Sequence, residues 1–115
     1  MENKSEIRLR GMLGFAMRAG KVTLGTELIC SSMAGKGKPH LVLISRSASA
    51  GTKKKLSTKS EFYGVECTEI NIDSEELGRL LGKLYAPAAV AITDEGFARE
   101  IRLALKALCG DDHEN

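Results

Sequence analysis

Apolar positions along the chain switch repeatedly between a helical and a strand period. Leu9, Leu13, Ala16 and Met17 share one helical face, and Gly20 is placed to end that helix. Residues 21–24 are a short β-prone run. Gly25 and Thr26 then precede Leu28, Ile29 and Met33, a second helical face that Gly35 and Gly37 close. Residues 41–44 are continuously apolar, the mark of a strand covered on both faces. Ser49 or Thr52 can open a third helix, with Leu56, Phe62 and Tyr63 as its apolar positions and Gly64 at its end. Residues 65–70 alternate as a strand does. Asp73, with Glu76 three residues later, is a capping box for a short helix carrying Leu77, Leu80 and Leu81. Pro87 cannot donate to a ladder, so it marks the entry to a strand over 88–92. Asp94 can cap a last helix with Phe97, Ile101, Ala104 and Leu108 inward and Arg99, Arg102 and Lys106 outward.

The predicted order is α-β-α-β-α-β-α-β-α. Such alternation predicts a three-layer α/β/α sandwich, here on a central mixed four-stranded sheet. With 115 residues, 43% of them hydrophobic, the chain suits one domain over 1–115 with one ordinary core.

Charge changes the picture. The net value is only +2, but residues 1–60 hold 12 Lys and Arg against 3 acids, and residues 61–115 hold 5 against 12. The halves therefore carry +9 and −7, an asymmetry that points toward a polyanionic partner. No apolar stretch approaches the about 20 residues of a membrane span. The polar start lacks the pattern of a signal peptide, so a cytoplasmic protein without membrane contact is expected. Cys30, Cys67 and Cys109 are odd in number, widely spaced and without a C-x-x-C; each is expected to fill the core. His40 and His113 are isolated, so neither a metal nor a cofactor is expected.

Catalytic templates fail in specific ways. Between Gly14 and Gly20-Lys21 lie five residues where a phosphate-cradling loop needs four, and Val22 stands where a hydroxyl is required. Residues 35–40 begin like a dinucleotide loop but lack its last glycine and precede a strand instead of following one. No residue offers itself as nucleophile or base, and a non-catalytic protein is expected.

The positive signals are basic and glycine-containing connections. Lys53, Lys54 and Lys55 open a helix just after the buried strand, with Lys59 a turn further on. Lys36 and Lys38 precede that strand, and Arg46 follows it in a loop of small residues that includes Ser47. Arg suits a phosphate or a guanine edge, and small residues let a ligand approach the backbone. Gly25-Thr26-Glu27 joins a strand to a helix, where backbone N–H groups face outward as an anion site.

Three segments taken together resemble the kink-turn RNA-binding family of ribosomal proteins, and in particular its small bacterial YlxQ-type branch. They are residues 22–27, residues 41–45 with the small loop, and Leu77-Gly78-Arg79-Leu80-Leu81-Gly82-Lys83 ahead of residues 88–94. The resemblance runs from about residue 10 to residue 105. It implies an α/β/α sandwich that binds structured RNA, ribosomal or kink-turn-like, without catalysis or cofactor. By position it implies contacts from Gly25, Thr26, Glu27, Leu28 and Ser31, and from the loop Leu84-Tyr85-Ala86-Pro87-Ala88. Lys21, Lys36, Arg46, Ser47, Lys53 and Lys83 would supply charge and contacts on the same rim. The family pattern Gly-x-Asn-Glu-x-x-Lys is met here only at Gly25, since Glu27, Leu28 and Ser31 occupy its Asn, Glu and Lys positions.

Two other functions fit the same fold. The acidic later half, around Glu66, Glu69 and Glu75, could dock a basic protein, or a pocket could serve a small phosphate-ligand enzyme. A monomer is the expected state of the free protein.

Overall fold

The computed structural model describes residues 4–113. Among the described residues nine elements appear in the predicted order: α1 (Lys4–Arg18), β1 (Val22–Leu24), α2 (Thr26–Met33), β2 (Leu41–Ser45), α3 (Ala50–Tyr63), β3 (Cys67–Ile70), α4 (Ser74–Leu80), β4 (Ala89–Ile92) and α5 (Glu95–His113). The strands lie in the order β1-β4-β2-β3. β4 is antiparallel to both β1 and β2, and β3 is parallel to β2, so the sheet is mixed.

Alternation along the two central strands divides the core into two layers. Leu41, Leu43, Val90 and Ile92 face α1, α4 and α5, where Leu13, Leu77 and Ile101 meet them. Val42, Ile44, Ala89 and Ala91 face α2 and α3, where Ile29, Met33 and Leu56 pack. All nine residues of β2 and β4 are buried, as expected for strands covered on both sides.

Local chemistry sets the helix boundaries. The side chains of Ser49, Asp73 and Asp94 accept from the backbone N–H groups of Thr52, Glu76 and Phe97. Only half of the capping box at Asp73 forms, because the Glu76 carboxylate turns to Arg10 at 2.7 Å. At the end of α4 the Lys83 N–H reaches the Gly78 carbonyl and the Gly82 N–H that of Arg79. This closure needs a left-handed residue, and Gly82 supplies it with φ 69°.

Four inward assignments change. Leu28 is 64% exposed and Phe62 79% exposed, while Cys30 and Ser60 take the buried places on α2 and α3. On such short helices an adjacent pair such as Leu28-Ile29 leaves the phase of the apolar face open by a residue. Cys30 fills the core as expected, but Cys67 is half-buried and Cys109 exposed. Burial raises the Cys67 thiol pKa, partly countered by a hydrogen bond with Ser60.

Candidate functional site at one end of the sheet

The register gathers four connections at a single end of the sheet. β1, β2 and β3 all finish there, and β4 starts there: Leu24 lies opposite Val90, Ile44 opposite Ala89, and Ser45 beside Ile70. The turn at Gly25, the loop at 46–49, the loop at 71–73 and the loop at 82–88 therefore form one rim.

Each connection is fixed by hydrogen bonds. Gly25 is the N-cap of α2 at φ 97° and makes no side-chain cap; its carbonyl accepts from Ile29 at 2.9 Å. That φ lies where residues with a Cβ are strained, and no heavy atom stands within 4 Å of a Cβ built there. The position is thus demanded by the backbone, and the space above it is open. Thr26 is the first helical residue of α2.

The loops after β2 and β3 are stitched together. The Arg46 N–H donates to the Ile72 carbonyl at 3.0 Å, and its guanidinium reaches Asn71 Oδ1 at 2.9 Å and Asp73 Oδ2 at 3.5 Å. Ser74 N–H donates to the Ser47 hydroxyl at 2.8 Å, and the buried Ser45 hydroxyl pairs with that of Ser74 at 2.7 Å. The Ser45 N–H reaches the Ala88 carbonyl at 2.8 Å and ties the fourth loop to the others. The Asp73 carboxyl is held below its usual pKa first by the Glu76 N–H; desolvation opposes this, and the Arg46 and Arg79 charges add to the lowering.

Apolar and charged side chains stand on this rim in the open. Leu28, Leu84 and Tyr85 are all exposed, Leu84 completely. A groove of about 390 Å³ runs between α4 and the last loop, lined by Glu75, Arg79, Lys83, Leu84, Tyr85 and Ala86. Glu75 and Arg79 were not expected there. Arg79 sits inside the distinctive Leu-Gly-Arg segment, which was the available signal for it.

Lys53, on the first turn of α3, also belongs to the rim; its ammonium contacts the Arg46 carbonyl at 3.0 Å and Glu69 at 3.3 Å. Glu27 is exposed and pairs with Lys55 at 2.6 Å across α2 and α3. This contact lowers the Glu27 pKa and raises that of Lys55. Ser31 lies exposed one turn further along α2.

Lys21 and Lys36 do not join the rim. Lys21 precedes β1, where its carbonyl accepts from Thr93 just after β4, and Lys36 lies in the connection that enters β2. Both stand at the opposite end of the sheet, because a strand carries its two flanking loops to opposite edges. The acids proposed for a protein partner are also divided: Glu66 pairs with Arg102, Glu69 with Lys53, and Glu75 lines the groove.

Among the described residues no group of three His, Cys, Asp or Glu is arranged to hold a metal. No described helix is long and apolar enough to cross a membrane.

The sequence profile of the ribosomal protein L7Ae/L30e/S12e/Gadd45 family matches residues 8–102. The chain is 34% identical over 103 residues to the RNA-binding protein YlxQ of Enterococcus faecium, covering 89% of this chain and 95% of that protein. It is 37% identical over 90 residues to the RNA-binding protein YlxQ of Bacillus subtilis, covering 78% and 87%. The fold superimposes on the 15.5 kD RNA-binding protein of Giardia lamblia with a TM-score of 0.71 at 14% identity, covering 93% of this chain and 89% of that one.

Proposed function

This chain belongs to the ribosomal protein L7Ae/L30e/S12e/Gadd45 family, and from that premise we propose that it binds structured RNA, without catalysis, through the rim at Gly25, Arg46, Asp73 and Tyr85. The relatives' names carry the RNA. The rim is supported by one observation: all four connections at that end of the sheet converge on an open surface holding exposed Leu28, Leu84 and Tyr85.

The chemistry is that of shape and backbone recognition. The first turn of α2 offers N–H groups to a phosphate or a base edge, and Gly25 keeps the approach clear. Leu28, Leu84 and Tyr85 offer apolar and aromatic surface to unstacked bases. Lys83 and Lys53 add positive charge, and Arg46 can exchange its internal partners for phosphate oxygens. Leu28 and Ser31 lack the hydrogen-bonding reach of the family's Glu and Lys, so side-chain base readout from α2 is weaker than in the family pattern. A ribosomal RNA target, a cytoplasmic location and a monomeric free state complete the proposal.

The test is retention of fragmented ribosomal RNA on a filter at graded salt. Each phosphate contact should add about −0.7 to −0.9 to the slope of log K against log salt. Leu28→Glu and Tyr85→Ala, both at exposed positions, should weaken binding roughly tenfold or more. Retention that is independent of salt and unchanged in both variants would overturn the proposal.

A further inference from the structure

We propose that the outward face of α3 is a second RNA contact, taking the sugar–phosphate backbone of a strand that leaves the rim on Lys54 and Lys59 and an unpaired base on Phe62. The inference rests on the RNA-binding reading above and extends it away from the rim.

The face is continuous with the rim. α3 starts directly after the Arg46-Ser47 loop and runs for 14 residues, about 21 Å. Two shallow depressions follow its outer side. One is walled by Lys54 and Lys55, the other by Phe62 and Tyr63, and they meet at Thr58 and Lys59. At the far end Lys38 donates to the Tyr63 carbonyl at 2.8 Å, which prolongs the basic character past the helix.

Lys54, Lys59 and Phe62 lie on the exposed side of α3. The buried residues of α3 are Leu56 and Ser60 alone, so the outer face contributes little to the core. Phe62 is 79% exposed, and its ring meets that of Tyr63 edge-on at 4.9 Å between centroids. An edge-on contact leaves a face of the ring open to a stacking partner. Lys53 and Lys55 are answered by Glu69 and Glu27; among the described residues Lys54 and Lys59 make no salt bridge, although the Glu27 charge also acts on Lys59 through space. The first turn of α3 holds Lys53 and no acid, so the cation there opposes the helix dipole. An aromatic ring next to exposed lysines in an open track suits single-stranded nucleic acid, where cations follow phosphates and every base has a face to stack. A folded acidic protein would match the cations but not the exposed Phe62 ring.

The experiment uses the full chain and fragmented ribosomal RNA. Ultraviolet crosslinking followed by peptide mapping should mark Phe62 as well as the rim peptide containing Tyr85. Lys54→Gln combined with Lys59→Gln should flatten the log K against log salt slope by about 1.4, the value for two single-strand phosphates. Phe62→Ala should weaken binding roughly tenfold. If Phe62 is not crosslinked, or the double variant keeps the full slope, the α3 contact is overturned. Loss of binding in Leu28→Glu with unchanged binding in the α3 variants would overturn this inference while leaving the rim in place. Failure of the unaltered protein to retain RNA would overturn both.

Discussion

Gly78 and Tyr85 share one space: a Cβ on Gly78 would stand 2.3 Å from the Tyr85 carbonyl oxygen and 3.3 Å from the Pro87 ring. The glycine of the Leu-Gly-Arg segment thus lets the last loop lie against α4 and hold Tyr85 at the rim. Gly78→Ala must push the loop outward, since the opposing atom is backbone. Overpacking of this kind costs about 1–3 kcal/mol. The expected outcome is a lower midpoint in urea unfolding together with weaker retention of ribosomal RNA. A variant with full affinity would separate the loop from binding.

Gly25→Asp acts differently. No heavy atom stands in its way, but φ 97° with ψ 131° is strained for a residue with a Cβ, by about 1–3 kcal/mol. The added carboxylate also faces the anion-binding N–H groups of α2. Binding should fall by at least tenfold while circular dichroism shows the same helix content.

Glu27→Gln should strengthen binding. The substitution removes a negative charge from the rim and releases Lys55, whose ammonium Glu27 holds at 2.6 Å. One further phosphate contact predicts a slope steeper by about 0.7 to 0.9. Filter binding at three salt concentrations measures it, with the Lys55→Gln variant expected to move the opposite way.

Acid should act on stability through Asp73. Its folded pKa lies below the usual 3.8, so the contribution is fully present above that value and is lost as the pH falls through the folded pKa. Glu27, also lowered, is lost in the acid range below its usual 4.5. Asp73→Asn keeps a cap acceptor without the charge. Thermal unfolding from pH 6 to pH 2 should therefore show a shallower acid loss in Asp73→Asn than in the parent protein.

The order of elements was legible because periodicity and caps are local. Asp73, Asp94 and Ser49 cap the helices they were expected to open, and the two apolar runs became the central strands. What depends on which strand lies beside which was not legible. Lys21 and Lys36 looked like neighbours of Gly25 by charge and sequence distance, yet strand direction carries them to the other edge. The same nonlocal pairing joins Arg46 to Asn71 and Asp73, 25 and 27 residues away. The exposure of Leu28 and Phe62 escaped a pattern that counts apolar residues without knowing which face meets the sheet.

The rim draws Gly25, Arg46, Asp73 and Tyr85 from four connections spread over most of the chain, so no contiguous peptide contains it. An RNA seated there fastens together segments that the unfolded chain would let drift apart. Binding and folding then share one equilibrium, and RNA at a hundred times its Kd should hold the native state by about 2.7 kcal/mol more. In that sense the nucleic acid is a cross-link as well as a ligand, and the protein is at its most durable when occupied.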